Sequence, residues 1–447
     1  MKYLKANFAF IPLTFFIVSI CFINSGFAIP SFARQTNLPC SSCHTMFPEL
    51  NAFGRLFKLN GYTLTTVETI QVRDTSDNVS LNLLKTPPVS AMLQAAYTYQ
   101  NKKLPNAENN VVSFPEQLSL FLGGQITPRI GGFLQVTYDD QSGSIAIDNT
   151  DIRYVNQTEL ASKNLIYGFT LNNNPSVQDL WNSTPAWSFP YSSSSVAPSP
   201  MAATLIEGGL AQSSAGLGAY GMWNNLVYAE VSLYRSAQQG APNPPDNTSS
   251  GVIKSLAPYW RLALQKQFGS NYFELGTYGL SADIYPNGVT GLTDNYTDIC
   301  FDLNYEKSIG SNTITAHTTY IHESQNFDAT LASENSGSIP SNSLNSFKVV
   351  GNYYIHSEYG FSLGYFLTNG DKVYSLYIPE SVVGSLNGKP DSDGIIAQFN
   401  YAPWLNTKFS LQYVAYNKFN GGTTNYDGSG RNASDNNTVY LDSWIAF

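Results

Sequence analysis

The chain has 447 residues, of which 43% are hydrophobic, 14% aromatic and only 12% charged, against roughly 25% charged residues in an ordinary soluble domain. Its net charge of −9 at pH 7 and its lack of a basic tract argue against nucleic-acid binding. The mean hydropathy of −0.17 argues against a helical membrane protein, and the excess of Tyr and Phe over Lys and Arg predicts an exported, β-rich protein rather than a cytosolic enzyme.

Residues 1–28 have the parts of a secretory signal peptide. Lys2 and Lys5 form a basic start, and an apolar stretch runs from Phe8 to Ile23. Small residues precede a cleavage point after Ala28, with Ala33 as the alternative site. An uncleaved anchor is the alternative, although the apolar stretch is short for the ~20 residues that a membrane-spanning helix needs. Cleavage leaves 21 basic and 32 acidic residues, a net charge of −11.

A Cys-x-x-Cys-His motif follows at Cys40, Cys43 and His44. This is the attachment pattern of a c-type heme, in which two thiols form thioethers and the histidine binds the iron. A thioredoxin-like redox pair would need a βαβ context that the flanking sequence lacks, and a short disulfide is the simplest alternative. The motif predicts one heme c, with His44 as the proximal axial ligand.

The segment after the motif predicts a helix, because Pro48 suits a first turn and Gly61 suits a stop. Arg55 and Lys58 on this helix are candidate contacts for the heme propionates, and exposed charges without a specific role are the alternative. A module over residues 29–78 is too small to bury a heme well alone, so we expect it to pack in or under the rest of the chain. An apolar stripe that could cover the porphyrin consists of Leu50, Phe53, Leu56 and Phe57.

Residues 79–88 are expected to be a linker, and residues 89–447 alternate apolar with polar or small residues in segments of about ten, as transmembrane strands do. Short turns follow the even segments, and mostly long polar connections, such as 172–213, follow the odd ones. This plan predicts a 16-stranded antiparallel outer-membrane β-barrel with short periplasmic turns and long outside loops. A soluble β-sandwich is the alternative. The predicted strands are 89–99, 115–126, 129–139, 145–157, 164–171, 214–223, 225–235, 252–268, 271–282, 296–306, 312–323, 345–356, 359–368, 393–402, 406–416 and 437–447.

Aromatic residues near strand ends are candidates for the girdles that mark the membrane interfaces. The last segment places apolar residues at one parity and ends the chain on Phe447, as outer-membrane proteins commonly do. The tryptophans assigned to the girdles are Trp223, Trp260, Trp404 and Trp444.

The second axial ligand of the heme is expected to come from the lumen. Met46 is too close to His44 to reach the opposite face of the porphyrin. Met92, Met222 and His317 have lumen parity and are the candidate distal ligands. The weaker candidates are His322, His356 and Met201.

Charged residues also have lumen parity. The simple interpretation is an ordinary polar interior, and the sharper one is a path that attracts hard cations such as Fe(II), which carboxylates bind well. Cys300 is expected to be a small lumen residue. The charged set is Asp151, Arg153, Glu230, Arg261, Glu274, Asp298, Asp302 and Glu306.

Taken together, these residues resemble a known family, the fused monoheme cytochrome c and porin proteins in the outer membrane of iron-oxidising bacteria. The specific part of the resemblance lies around the Cys motif, and the barrel by itself is generic. The segments that carry it are Ala33–Thr36, Phe47–Asn51, Phe53–Arg55, Lys58–Tyr62, Asn172–Asp179 and Pro185–Trp187.

The resemblance implies an iron oxidoreductase of the outer membrane of Gram-negative type. It implies that extracellular Fe(II) gives an electron to the heme and that a periplasmic cytochrome c or other carrier receives it. Cys40 and Cys43 would form the thioethers and His44 would bind the iron. The alternatives are a transport porin whose heme serves sensing or assembly, and a soluble periplasmic cytochrome with a β-sandwich. Outer-membrane lipid is an expected partner, and nucleic acid is not.

Overall fold

The computed structural model describes residues 31–64, 67–73, 80–139, 143–184, 191–237, 244–332 and 341–447. The predicted signal peptide and the segment Pro185–Trp187 lie outside these residues. Within them, no helix is both long enough and apolar enough to cross a membrane.

The N-terminal module contains α1 (Ser31–Thr36), a 3-10 turn (Cys40–Ser42) and α2 (Ala52–Leu59). The helix after the motif therefore begins at Ala52 and not near Pro48. The reason is its N-cap: the side chain of Asn51 accepts a hydrogen bond from the backbone N–H of Gly54 at 3.0 Å.

The predicted linker takes part in a small hairpin of β1 (Thr69–Arg73) and β2 (Ser80–Leu84). Apolar cross-strand pairs explain why this segment forms strands. Ile70 lies opposite Leu83, and Val72 lies opposite Leu81. The boundary drawn between residues 78 and 79 therefore falls between the two strands of one element.

The rest of the described chain forms a closed antiparallel barrel with sixteen strand positions. The last strand, β19, pairs with the first, β3, and closes the sheet. The interrupted strand formed by β10 and β11 fills one position, because both segments pair with β12. The strands are β3 (Val89–Gln100), β4 (Asn110–Thr127), β5 (Ile130–Asp139), β6 (Ser144–Leu160), β7 (Lys163–Asn172), β8 (Ser214–Trp223), β9 (Val227–Ser236), β10 (Ser250–Ile253), β11 (Ala257–Phe268), β12 (Asn271–Asn287), β13 (Asp294–Ile309), β14 (Asn312–Asn326), β15 (Ser341–Ile355), β16 (Tyr359–Gly370), β17 (Ser392–Trp404), β18 (Thr407–Lys418) and β19 (Thr438–Ala446).

The sixteen predicted strands are thereby confirmed, and a two-sheet sandwich is excluded. Along β11, Arg261 and Ala263 point inward and are buried, whereas Leu262 and Leu264 point outward and are about half exposed. Apolar outside and polar inside is the surface of a transmembrane barrel. Trp260 and Trp404 lie on the outer surface as predicted. The girdle assignment of Trp444 is wrong, because its side chain faces the lumen.

Two pieces of chain fill the lumen. The N-terminal module lies at the short-turn rim, the end of the barrel where tight turns such as 161–162 join the strands. The connection 173–213 is described over residues 173–184 and 191–213, which are here called the internal connection. These residues lie inside the barrel, so the predicted outside position of this connection is wrong for them. Its apolar residues explain why it turns inward: Leu180 and Trp181 are buried against Leu59 and Tyr228.

Candidate functional site

A cavity of about 290 Å³ lies between the N-terminal module, the inner wall of the barrel and the internal connection. Cys40, Cys43 and His44 line this one cavity together. Most of its other walls are apolar. The apolar side chains include Phe32, Phe47, Phe53, Phe57, Phe121, Phe133, Leu180, Trp181 and Trp444.

The motif is held in place by backbone hydrogen bonds and by helix α2. In the 3-10 turn, the N–H groups of Cys43 and His44 donate to the carbonyl oxygen of Cys40 at 3.1 and 2.9 Å. The side-chain amide of Asn51 donates to the carbonyl of Ser42 at 3.1 Å. Gly54 allows α2 to approach, because a Cβ there would overlap the carbonyl oxygen of Cys43.

The motif cysteines are free thiols, as is Cys300. Burial raises the pKa of Cys40 and, with the neighbouring Cys40, raises the pKa of Cys43 to about 11. The pair is therefore neutral near pH 7 and lines the cavity as thiols. Thiols at this spacing beside a histidine fit the two thioether bonds of a heme c.

His44 has the orientation of a metal ligand. Its Nδ1 lies 2.9 Å from the carbonyl oxygen of Pro48, which can only accept, so Nδ1–H donates and Nε2 keeps its lone pair. The ring of Phe47 packs edge-on against it with centroids 5.6 Å apart. Burial lowers the pKa of His44, which favours the neutral ring that iron binding requires.

Arg55 and Lys58 both line the cavity, but they differ in how their donors are used. Arg55 Nη1 donates to Glu306 and to the carbonyl of Leu50, whereas its Nη2 is buried without a partner. Lys58 Nζ donates to the carbonyls of Val177 and Asp179 at 2.5 and 2.7 Å. Arg55 therefore keeps a donor for an anionic group such as a propionate, and Lys58 fastens the module to the internal connection.

The three candidate distal ligands are not brought together. Met92 and His317 line the cavity, and Met222 does not, because it is buried in a separate cluster beneath Leu59. Both ring nitrogens of His317 have partners: Nδ1 contacts the side-chain oxygen of Asn304, and Nε2 lies 3.0 Å from Glu49 Oε1. Met92 Sδ has only a 3.8 Å contact from the side-chain amide of Gln94. The weaker candidates His322, His356 and Met201 lie outside the cavity.

Glu49 links the module to the wall and was not singled out from the sequence. It is buried, and it accepts from the Tyr354 hydroxyl as well as contacting His317. Burial alone would raise the pKa of Glu49, but the hydrogen bonds from His317 and Tyr354 hold it below its ordinary value. No pattern in the sequence marks Glu49, because its partners are about 270 and 300 residues further along.

The charged residues predicted at lumen parity are inside, as expected, and so is Cys300. Most of them bind one another or the internal connection. Arg153 pairs with Asp151 at 2.7 Å, and Arg261 pairs with Glu274 at 3.0 Å and with Asp302 at 2.7 Å. These groups therefore brace the filled interior, since buried charges need partners.

No protein-family model matches the sequence, and no curated protein is significantly similar to it. Among solved structures, the chain is similar to OmpT of Vibrio cholerae at 10% identity and a TM-score of 0.44, covering 81% of this chain and 98% of that one. The outer-membrane channel DcaP of Acinetobacter baumannii shows 11% identity and a TM-score of 0.44, covering 81% of this chain and 97% of that one. An anion-selective porin from Comamonas acidovorans shows 12% identity and a TM-score of 0.44, covering 80% of this chain and 98% of that one.

Proposed function

We propose that this protein is an outer-membrane electron conduit that binds one heme c and carries electrons from extracellular Fe(II) to a periplasmic carrier. The observation that supports it most directly is the shared cavity of Cys40, Cys43 and His44 inside the barrel rim. A heme bound there would supply a centre that takes up and releases one electron. The choice of Fe(II) as donor follows from the family resemblance.

Each residue of the site has a distinct task in this proposal. Cys40 and Cys43 would hold the porphyrin covalently, and His44 Nε2 would bind the iron. The Nδ1–H of His44 keeps the ring oriented through its bond to the Pro48 carbonyl. Arg55 Nη2 offers its free N–H to a propionate. The aromatic walls exclude water, which favours a cofactor with a large apolar face.

The filling of the barrel supports electron transfer over solute transport. The hydrocarbon core of a membrane is ~30 Å thick, and a redox centre within the barrel shortens the distance that an electron must cross. The N-terminal module and the internal connection both lie in the lumen and contact each other there. An insoluble ferric product could then remain outside. The proposal includes export by a cleaved signal peptide and residence in the outer membrane.

Anoxic stopped-flow mixing with Fe(II) tests the proposal. We expect the purified protein to contain one heme per chain and its ferric form to be reduced within seconds. Cys43→Ala should lose covalent heme, whereas Cys300→Ala, at a buried cysteine outside the motif, should retain heme and its reduction. A ferric heme that stays unreduced under Fe(II) would refute the oxidase function, and a protein purified without heme would refute the conduit.

A transport porin with a sensing or assembly heme is the second candidate. The polar inner face of a sixteen-position barrel favours it. Planar-bilayer recording separates the two functions. A blocked or very small conductance agrees with the conduit, and a large open pore in the heme-loaded protein would favour the porin.

A further inference from the structure

A row of buried polar groups without partners lies on the inner face of β19, beside the heme-motif cavity. Tyr440, Asp442 and Trp444 face the lumen and are 0%, 3% and 6% exposed. The Tyr440 hydroxyl, both carboxylate oxygens of Asp442 and the indole N–H of Trp444 have no partner with hydrogen-bond geometry. The hydroxyl of Ser192 interacts with Asp442, but it also lacks a partner with that geometry. Because Trp444 lines the cavity, the row begins there and runs away from the short-turn rim.

A bulge in β4 brings a second carboxylate to this row. Gln94 pairs with Gln117 and Ala96 pairs with Ser113, so Ala95 lies opposite the three residues 114–116. Such bulges redirect side chains. Glu116 Oε1 accepts from the backbone N–H of Ser195 in the internal connection at 2.9 Å, and its Oε2 is enclosed without a partner. The Tyr440 hydroxyl and Asp442 both interact electrostatically with Glu116.

The two carboxylates lack a cationic partner at bonding distance. Among the residues that the structure describes, no Lys or Arg lies within 4 Å of an Asp442 oxygen. The nearby Lys408 points elsewhere: its Nζ lies 4.4 Å from the ring centre of Trp444 and donates to the carbonyl of Phe47 at 3.3 Å. Lys408 and Asp442 interact electrostatically without a direct bond, so one positive charge faces the two carboxylates of Asp442 and Glu116. Enclosed negative charge without a bonded partner is costly, and a further positive ligand is therefore expected.

We propose that Asp442 and Glu116, with the Tyr440 hydroxyl, bind one partly hydrated divalent cation between β19, the β4 bulge and the internal connection. Oxygen ligands of this kind suit hard cations. The described residues form no group of three or more His, Cys, Asp or Glu suited to a metal, so water completes the coordination. The site would hold a cation beside the cavity that contains the Cys-x-x-Cys-His motif. A role for this cation in electron transfer rests on the proposed function, but the binding of the cation does not.

Electron paramagnetic resonance with Mn(II) tests this site in the full-length, heme-loaded protein. Mn(II) reports binding without depending on reduction of the heme. We expect one bound Mn(II) per chain in the native protein. Asp442→Asn and Glu116→Gln should each weaken binding by at least the about tenfold that even an outer-shell partner of a metal costs. Glu159→Gln is the matched control, because Glu159 is exposed at the short-turn rim, and it should bind as the native protein does.

Heat-modifiable migration on gels shows whether each variant is folded. Tyr440→Phe removes one hydroxyl and is a conservative third variant, which should also weaken Mn(II) binding. Native protein that binds no Mn(II), or folded Asp442 and Glu116 variants that bind it normally, would overturn the site. Loss of the site together with normal heme reduction by Fe(II) would leave the proposed function standing. Mn(II) binding that depends on Asp442, in a protein whose heme Fe(II) does not reduce, would support the site and refute the function.

Discussion

At the scale of single residues, Met92 and Met222 show how similar side chains acquire different environments. Both point into the lumen and both are buried. Met222 packs with Leu59 and Tyr228, whereas Met92 lines the cavity with the motif. A thioether in that cavity is free to bind iron, and one buried beneath the module is not.

Met92→Leu therefore tests the distal ligand. We expect the substitution to remove the sulfur-to-iron charge-transfer band from the spectrum of the ferric protein and to lower the heme potential, because thioether ligation raises it. Met222→Leu, the matched control, should leave both unchanged. An unaltered spectrum in Met92→Leu would exclude Met92 as the distal ligand and leave His317 as the candidate in the cavity.

Lys58 predicts a pH dependence of stability. Burial lowers its pKa from 10.5 to about 8 in the folded protein. Between these values the folded state binds fewer protons than the unfolded state, so the free energy of unfolding rises with pH across that range. The rise attributable to Lys58 is of order 3 kcal/mol. Denaturant unfolding from pH 7.5 to 10.5 should show this slope in the native protein and a smaller one in Lys58→Met. Equal slopes would contradict the prediction.

At the scale of elements, the contact between α2 and the 3-10 turn decides the shape of the heme site. Asn51 caps the helix and also bonds to Ser42, so one residue sets both the start of α2 and its distance from the motif. Gly54 supplies the space for that approach. The helix is short, and isolated helices of this length are unstable, so its position depends on these contacts.

Gly54→Ala should displace α2 from the motif. The added methyl group overlaps the carbonyl oxygen of Cys43, and overpacking of this kind costs about 1–3 kcal/mol. We expect a lower heme content per chain, measured by pyridine hemochrome absorbance, with the barrel still folded. Gly221→Ala is the control, because the nearest atoms to a Cβ there are 3.7 Å away. Full heme content in Gly54→Ala would show that the contact is not needed.

At the scale of the whole molecule, the barrel and its contents are tied together by contacts far apart in sequence. The module reaches Glu306 through Arg55, and Glu49 reaches His317 and Tyr354. The internal connection reaches β18 through the bond from Gln412 to Ser192. These long-range contacts hold the N-terminal module against the inner wall of the barrel.

Removal of residues 29–84 should open the barrel at the short-turn rim. The sixteen strand positions pair with one another and need no strand from the deleted segment. We expect the shortened protein to remain heat-modifiable and to conduct ions better than the full chain in planar bilayers. Equal conductance would show that the internal connection alone closes the lumen.

Much of the fold was predictable, and less of the site. Strand periodicity gave strands such as 214–223, because each barrel strand alternates between lipid and lumen in a local pattern. Residues 173–184 and 191–213 were misplaced, because a polar connection has the same composition whether it lies outside the barrel or inside a polar lumen. Trp444 was misassigned for a related reason: its place near a strand end suggested a girdle, although its parity with Asp442 pointed inward.

The sequence by itself determined the barrel, its strand number, its polar lumen and the Cys-x-x-Cys-His motif, because these depend on spacing along the chain. Only the tertiary structure decided what surrounds the motif. It brought Arg55 to Glu306, separated Met92 from Met222, and placed Glu116 of the β4 bulge where it interacts electrostatically with Asp442. The physical reason is that barrel closure and the folding of chain into the lumen join residues hundreds of positions apart, and no local pattern records those contacts.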